Sequence, residues 1–222
     1  MGYEATTIGN HEFDNGDVGL VNFLDDLKAS ACKTSVLAAN VVPGANSPLK
    51  NGYIQPYMVR DVAGQKVGFI GIDIADKTKN SSKPDADTNF LDETTTAQQY
   101  IDELRAQGIN KIVLVTHYQY ENDKTLASQL SGVDVIVGGD SHTLLGSENF
   151  TALGFNPTGE YPTQVTNKDG DKVCIVQAWE YAQVVGELKV SFNAQGEVTQ
   201  CAGTPHVLIG DNFTIGGKAA TD

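Results

Sequence analysis

The sequence predicts an α/β fold in which one β-sheet lies between layers of helices. Strand-like and helix-like patterns alternate from residue 36 to residue 137, and this alternation is typical of βαβ units. Residues 67–73 form an almost continuous apolar run, which indicates a strand covered on both faces. The 222 residues, of which 40% are hydrophobic, are enough to form one buried core.

The first half of the chain is predicted to contain strands, one helix and one polar loop. The helix begins with Asp17 as its N-cap, and Val21, Leu24 and Leu27 recur on its apolar face. Residues 76–89 are rich in Lys, Ser, Asp and Thr, a composition typical of a loop. The predicted strands are residues 3–8, 36–42, 57–62 and 66–73, and a tight turn at residues 63–65 joins the last two.

In the second half, strands and helices continue to alternate up to Gly146. The predictions are a helix at residues 94–107 that Gly108 ends, a strand at 111–116, a helix at 123–130 and a strand at 133–137. Residues 147–171 are then predicted to form a loop, followed by a β-meander of residues 173–178, 184–192 and 198–201 with a turn at 193–196. We expect one domain at residues 1–209 and a tail or linker at residues 210–222.

The charge of the chain restricts its partners. A formal net charge of −13 argues against a nucleic-acid backbone or an anionic membrane as the main partner, because either would require a basic surface. A phosphorylated small molecule is compatible with this charge, since metal ions can supply local positive charge. The sequence contains no apolar run long enough for a membrane span. Met1 opens directly into a strand-like segment, so we expect no signal peptide.

The cysteines leave two possibilities open. The chain has three of them, Cys32, Cys174 and Cys201, without metal-type spacing, so one intrachain pair at most can form. Cys174 and Cys201 could pair if their predicted strands are neighbours. Buried free thiols are the alternative, and it is the one we favour from the sequence.

Residues 9–14 concentrate several chemically active groups. They read Gly-Asn-His-Glu-Phe-Asp and follow the first predicted strand. Asn10 offers an amide oxygen and His11 an imidazole. Asp14, three residues after His11, reaches back to it if the segment forms one helical turn. A carboxylate in that position fixes the tautomer of a histidine and raises its basicity.

Two later segments have the same character. Residues 113–118 read Val-Leu-Val-Thr-His-Tyr, and residues 138–143 read Gly-Gly-Asp-Ser-His-Thr. The polar residues of each segment follow a predicted strand, and ligand-binding residues of α/β sheets gather at the carboxyl ends of strands. We therefore expect these segments, with three of the four histidines of the chain, to converge on one crevice.

Together, these three segments resemble the motifs of the calcineurin-like metallophosphoesterases, and the extended first motif is similar to that of their 5′-nucleotidase branch. The resemblance implies a metallophosphoesterase-like β-sheet sandwich flanked by helices. It also implies hydrolysis of a small-molecule phosphate ester or nucleotide by a metal-activated water. In the family, two cations about 3.5–4 Å apart clamp the oxygens of an in-line phosphoryl displacement.

The resemblance also implies roles for individual residues. Asn10, His117 and Asp140 match positions that bind one metal of a two-metal site, and His142 matches a position that faces the other metal. His11, oriented by Asp14, matches the residue that stabilises the transition state and assists the leaving group. Oxygen and imidazole ligands without thiolate favour Zn or Mn and also allow Fe or Co. Asp140 stands where the common family pattern has histidine; a carboxylate can still bind a metal, but the metal preference is then open.

The family pattern is incomplete in this chain. The family opens with an Asp-x-His strand and a later Gly-Asp motif, and no segment before Gly9 can hold either. We also expect the separate carboxy-terminal domain, which in the family grips the nucleoside, to be absent here. We therefore expect a fold incomplete at the N terminus and a homo-oligomer that covers the unpaired edge left by the missing strand. The number of bound metals stays open between two, as in the intact family site, and one or none. Family members are largely periplasmic or extracellular, and we expect the same placement here.

Other interpretations remain open beside the phosphoesterase. A truncated, catalytically impaired domain with a partial metal site is the main alternative. In that case His11 would be a surface residue of a capped helix, His117 a structural strand-end histidine, and Asp140 and His142 parts of a solvated glycine-rich turn. A carboxylic-ester hydrolase is a third possibility, although the sequence contains no Gly-x-Ser-x-Gly elbow.

Overall fold

A computed structural model describes residues 2–31, 33–210, 214–215 and 218–219. Its α-helices are α1 (Gly16–Ala29), α2 (Ala75–Ser81), α3 (Glu93–Ala106), α4 (Tyr120–Gln129) and α5 (Glu148–Ala152). Its strands are β1 (Ala5–Thr7), β2 (Ser35–Leu37), β3 (Val41–Val42), β4 (Tyr57–Val62), β5 (Gln65–Asp73), β6 (Asn89–Phe90), β7 (Ile112–His117), β8 (Val135–Val137), β9 (Thr163–Thr166), β10 (Lys172–Val176), β11 (Val184–Phe192), β12 (Val198–Val207), β13 (Thr214–Ile215) and β14 (Lys218–Ala219). Short 3-10 helices form at Asn10–Phe13 and Pro48–Asn51.

The centre of the fold is a six-stranded sheet in the order β4-β5-β7-β8-β10-β9. The four inner strands are parallel, and the edge strands β4 and β9 run antiparallel to their neighbours. Because parallel strands end at the same edge, the loops after β5, β7, β8 and β10 all emerge on one side of the sheet.

The two faces of this sheet are covered by different elements. Alternate residues point to opposite faces, so Leu114 packs in one core and Val113 in another. Helices α3 and α4 cover the face of Leu114. The long hairpin of β11 and β12 covers the face of Val113, with Leu188 and Val190 among its contacts. The prediction of helices on both faces is therefore wrong for the second face, where a β-hairpin buries the apolar surface instead.

A second parallel pair, β1 and β2, also packs on the hairpin side of the sheet. Gly71 faces that side, and a Cβ atom there would lie 2.4 Å from the backbone of Leu37. Only glycine allows the two layers to approach so closely. Helix α1 then packs on the outer side through Leu20 and Leu24. The result is an α/β architecture of stacked sheets flanked by helices, the sandwich that the family resemblance implies.

The predicted strand at residues 36–42 is interrupted. Strands β2 and β3 belong to different sheets, because the chain turns at residues 38–40. Asn40 is fully buried, and its amide group makes hydrogen bonds with the backbone N–H and C=O of Asp73 at 2.9 and 2.8 Å. This side chain supplies the backbone of β5 with partners that a continuous strand would not. Apolar composition alone does not reveal such a turn.

The predicted loop at residues 76–89 contains structure at both ends. Helix α2 occupies its beginning, and β6 begins at its last residue. Ala75 and Thr78 are the buried residues of α2, and the N–H of Ala75 donates to the Glu93 carboxylate at 2.8 Å. Tertiary contacts therefore stabilise a short polar helix whose own propensity is weak. Likewise, α5 and β9 lie inside the predicted loop at residues 147–171.

Two further predictions about local structure are wrong. The expected β-meander does not form, because β10 pairs with β8 and β9 in the central sheet while β11 and β12 pair with each other. Asp17 does not cap α1; Asn15 is the N-cap residue. Asp17 is instead buried and accepts hydrogen bonds from Thr88 at 2.6 Å and from the N–H of Asp85 at 3.0 Å. It connects α1 to the segment before β6.

Other predicted elements are confirmed within a few residues. Helix α3 ends just before Gly108, whose φ of +80° is the left-handed conformation expected after a helix. Helix α4 begins earlier than predicted, at Tyr120. In the expected tail, β13 and β14 pair with each other, and the remaining residues after 210 lie outside the described part of the chain. None of the described helices combines the length and apolar character that a bilayer span requires.

The structure pairs Cys174 with Cys201 in a disulfide bond. The free-thiol interpretation is therefore wrong for these two residues, while Cys32 lies outside the described residues. Cys174 is fully buried on β10, and Cys201 lies on β12. The bond fastens the hairpin to the sheet, and only the packing of these two strands could reveal that the cysteines are neighbours.

Removal of this bond should loosen the hairpin. We expect the double variant Cys174→Ala/Cys201→Ala to lose about 2–4 kcal/mol of unfolding free energy, because the bond closes a loop with a sequence separation of 27. Urea unfolding measures the loss. Reductant should destabilise the wild type to the level of the variant and leave the variant unchanged. An equal stability of oxidised and reduced wild type would contradict the prediction.

Candidate active site

The segment after β1 is shaped by its own side chains. The Glu12 carboxylate accepts a hydrogen bond from the N–H of Gly9 at 2.7 Å. Phe13 is fully buried and packs edge-on against Phe90, with ring centroids 5.3 Å apart. With both ends of the 3-10 helix fixed, Asn10 is buried while its neighbour His11 is exposed. The motif thus presents one polar side chain inward and the next one outward.

Three candidate ligands from distant parts of the chain meet at one point. His117 Nε2 lies 3.1 Å from Asn10 Oδ1 and 3.2 Å from Asp140 Oδ1. The three residues follow β1, end β7 and follow β8 respectively. The expected convergence at the carboxyl edge of the sheet is therefore confirmed for these side chains.

The position of His117 depends on glycine at residue 9. A Cβ atom on Gly9 would lie 2.4–2.5 Å from three atoms of the His117 ring, far inside van der Waals contact. The backbone of Gly9 is extended, with φ of −129°, so backbone strain is not the reason for glycine here. The reason is the close approach of the imidazole, which gives the first motif and His117 a direct steric connection.

Asp140 contacts three other side chains of the site. Its carboxylate contacts His117, forms an ion pair with Lys77, and accepts a hydrogen bond from Gln119 Nε2 at 2.9 Å. Burial alone would raise its pKa, but the hydrogen bonds from His117, Lys77 and Gln119 outweigh burial and hold the pKa well below the usual aspartate value. The side chain is only 3% exposed. Asp140 is therefore a carboxylate anion fixed in a cationic environment.

His11 and Asp14 form a second polar pair beside this cluster. His11 Nδ1 lies 2.8 Å from Asp14 Oδ2, and the other carboxylate oxygen accepts a hydrogen bond from Ser82 at 3.0 Å. These contacts lower the pKa of Asp14. The predicted contact between Asp14 and His11 is confirmed. It leaves His11 Nε2 on an exposed ring, available for proton transfer to a bound molecule.

His142 points elsewhere. Its Nδ1 lies 2.9 Å from Glu180 Oε2, and its ring meets Tyr181 edge-on at 6.0 Å. The side chain is 55% exposed. Its hydrogen-bond partner is thus Glu180 rather than one of the other candidate ligands. A carboxylate on the far nitrogen is the usual arrangement for a metal-binding imidazole.

The donor atoms of the cluster fit one divalent ion. Amide oxygen, imidazole nitrogen and carboxylate oxygen are suitable ligands, and separations of 3.1–3.2 Å match those around an ion with bonds of about 2.1 Å. The set is small, however: in the described part of the chain no group of three or more His, Cys, Asp or Glu side chains could hold a metal ion. Asn10 adds a third donor to His117 and Asp140, and Lys77 pairs with the same Asp140 oxygen that contacts His117.

Sequence reasoning missed four residues that shape the site: Lys77, Gln119, Gln177 and Glu180. Lys77 was hidden because its segment was predicted to be a loop. The spacing of Ala75 and Thr78 by three positions was the available sign of helix α2. The two glutamines follow strand ends, so the rule that polar residues gather there could have included them. Nothing in the local sequence marks Glu180.

The known proteins that resemble this chain in sequence and structure include 5′-nucleotidases. A probable 5′-nucleotidase of Treponema pallidum is 43% identical over 219 residues, which are 99% of this chain and 36% of that protein. The structure of a 5′-nucleotidase precursor from Thermus thermophilus superimposes with a TM-score of 0.85 at 43% identity, covering 93% of this chain and 39% of that chain. The chain is homologous to 5′-nucleotidases. No protein-family model matches the sequence.

Two further solved structures superimpose on this homologue of 5′-nucleotidases. The NAD nucleotidase of Haemophilus influenzae superimposes with a TM-score of 0.86 at 40% identity, covering 92% of this chain and 35% of that chain. A calcineurin-like phosphoesterase of Bacillus subtilis has a TM-score of 0.66 at 21% identity, which shows a common fold alone. The predicted metallophosphoesterase-like fold is confirmed. The chain spans between 33% and 39% of the length of the 5′-nucleotidase and NAD nucleotidase relatives.

The steric role of Gly9 can be tested directly. We expect Gly9→Ala to displace the His117 ring and to weaken Zn²⁺ binding at least tenfold, with a stability loss of about 1–3 kcal/mol from overpacking. Histidine ring NMR shifts and Zn²⁺ competition with a chromophoric chelator measure these effects. Gly210→Ala is the matched control, because no atom lies within 4 Å of its Cβ position. An unchanged His117 signal in Gly9→Ala would contradict the prediction.

The ion pair between Lys77 and Asp140 should oppose metal binding. We expect Lys77→Met to increase Zn²⁺ affinity roughly fivefold, since an incoming cation then meets no ammonium group at the carboxylate; this is about 1 kcal/mol. Lys79→Met in the same helix is the control, because Lys79 pairs with the exposed Asp76 at 3.8 Å. Equal affinities of the two variants would count against competition by Lys77.

Proposed function

We propose that this chain carries the phosphoric-ester hydrolase function of 5′-nucleotidases, with a divalent metal held by Asn10, His117 and Asp140. The contact of these three side chains, from three separate loops, is the observation that supports the proposal most strongly. The resemblance of the three motifs to those of calcineurin-like metallophosphoesterases implies a divalent metal at this point. A metal held here would neutralise phosphoryl oxygens and lower the pKa of water.

The protein's own residues have distinct tasks in this proposal. Asn10, His117 and Asp140 would hold the ion, and Gln119 would fix the carboxylate of Asp140 through its hydrogen bond. Lys77 pairs with the same carboxylate and would compete with the ion. His11 transfers a proton to the departing oxygen of the ester. Asp14 orients His11 and stabilises its charged form through their 2.8 Å contact. By resemblance to the family, His142 would face a second ion in the intact site, and Glu180 would orient its ring through their 2.9 Å contact.

The choice of metal follows from the ligand types. Neutral imidazole, amide and carboxylate without thiolate favour Zn or Mn. The substrate in this proposal is a nucleotide or a related small phosphate ester. Two of the names among the relatives, 5′-nucleotidase and NAD nucleotidase, support that class. The sequence homology is the reason to test mononucleotides and a dinucleotide side by side.

A second candidate function rests on the size of the ligand set. The described residues bring together three donors in one cluster, enough for one ion rather than two. This favours a catalytically impaired phosphoesterase-like domain with a partial metal site. Metal content by plasma mass spectrometry, after Zn or Mn loading and dialysis, separates the two functions. Two ions per chain would require further donors, which a second copy of the chain could supply; light scattering would detect such a homo-oligomer.

We also propose a periplasmic or extracellular location. The Thermus thermophilus relative is described as a precursor, and the disulfide of Cys174 and Cys201 is stable in oxidising compartments. Thiol trapping of the protein in separated cell fractions tests this placement, since a cytosolic location would leave both thiols reduced.

The catalytic proposal predicts metal-dependent hydrolysis of an aryl phosphate and of a nucleoside 5′-monophosphate. His11→Gln should lower the rate on the order of 100-fold, because general acid–base assistance is lost. His206→Gln is the control, since His206 pairs with Glu187 on the hairpin at 3.3 Å. Background hydrolysis by the wild type with Zn, Mn, Co and Mg alike would reject the proposal in favour of the impaired domain.

A further inference from the structure

The loop that carries Asp140 and His142 is held in an unusual backbone conformation. Asp140 and His142 have φ angles of +67° and +50°, in the left-handed region that costs free energy for residues other than glycine. Gln119, which donates to Asp140, also has a positive φ of +79°. Such a backbone persists only where surrounding contacts fix it.

One side chain from another strand supplies those contacts. Gln177 follows the end of β10 and is 3% exposed. Its Nε2 donates to the carbonyl of Gly139 at 3.1 Å and to Ser141 Oγ at 3.2 Å. Its Oε1 accepts hydrogen bonds from the N–H of Thr143 and, at 3.3 Å, from Ser141 Oγ. A single buried amide therefore contacts three positions of the loop around Asp140.

The same contacts extend to the loop of His117. Ser141 Oγ, held by Gln177, accepts a hydrogen bond from the N–H of Tyr120 at 3.0 Å. Tyr120 begins helix α4, three residues after His117. The amide of Gln177 is therefore connected through one serine to both loops that carry the candidate ligands, although it contacts neither Asp140 nor His117 in the hydrogen bonds described.

We propose that Gln177 is a positioning residue that fixes the loops of Asp140 and His117 for metal binding. The expected effect on metal binding rests on the proposed function, whereas the positioning of the loops rests on the hydrogen bonds alone. Residues that orient metal ligands without touching the metal typically change affinity 10–100-fold when they are replaced. A residue that only stabilised the fold would lower the melting temperature without changing the geometry of the ligands.

The test variant is Gln177→Met, which keeps the length of the side chain and removes its hydrogen bonds to Gly139, Ser141 and Thr143. The control is Gln200→Met, on the exposed surface of β12. We expect Gln177→Met to weaken Zn²⁺ binding at least tenfold in chelator competition at a temperature where both variants are folded. It should also shift the His117 ring signals in NMR and accelerate hydrogen exchange of the Thr143 amide at least tenfold without metal. Gln200→Met should match the wild type in all three measurements.

A second variant keeps the inference testable if Gln177→Met does not fold. Gln177→Glu keeps an acceptor for the N–H of Thr143 and removes the donor to Gly139, so its Zn²⁺ affinity should lie between those of the wild type and Gln177→Met. Wild-type affinity and unchanged His117 signals in both variants would overturn the inference. If the wild type binds no Zn²⁺ while Thr143 exchange and the His117 signals still change as expected, positioning by Gln177 stands and the metal function fails.

Discussion

The contact of His117 with Asn10 and Asp140 is the interaction on which the candidate site depends. It forms because parallel strands end at one edge of the sheet, and the loops after them must share that edge. The geometry is demanding: an imidazole packs directly on the backbone of Gly9. The buried carboxylate of Asp140 lies beside this half-buried ring. The sheet supplies rigid strand ends, and short loops after them place the polar atoms.

The same edge carries the residues that support the cluster. Lys77 lies on the helix after β5, Gln119 lies after β7, and Gln177 follows β10. Each contacts Asp140 or the loop around it. An anion at this point is stabilised by a cation and by hydrogen-bond donors. The carboxylate thus stays ionised although it is largely buried, an environment in which an unpaired charge would cost much free energy. A histidine held beside a carboxylate anion suits metal-assisted chemistry if a metal ion displaces the ammonium group of Lys77.

The layers behind the edge give this arrangement its stability. The face with α3 and α4 is a conventional apolar core, whereas the opposite face is closed by a hairpin. The disulfide of Cys174 and Cys201 joins that hairpin to β10, three residues before Gln177. Strand β10 therefore carries the cysteine that stabilises the scaffold and leads directly into the residue that contacts the loops. Nevertheless the two roles are separable, because the disulfide lies in the hairpin core and the amide of Gln177 lies at the strand end.

The sequence by itself determined the strand ends and the motifs that follow them, because period, glycine and polar side chains are local properties of a chain. It was therefore sufficient for the α/β class, for α3, and for the contact of His11 with Asp14. Tertiary structure decided the turn at Asn40, helix α2 with Lys77, the disulfide and the role of Gln177. Each of these depends on a partner far away in the chain, and local pattern carries no information about which distant group will satisfy a buried polar atom.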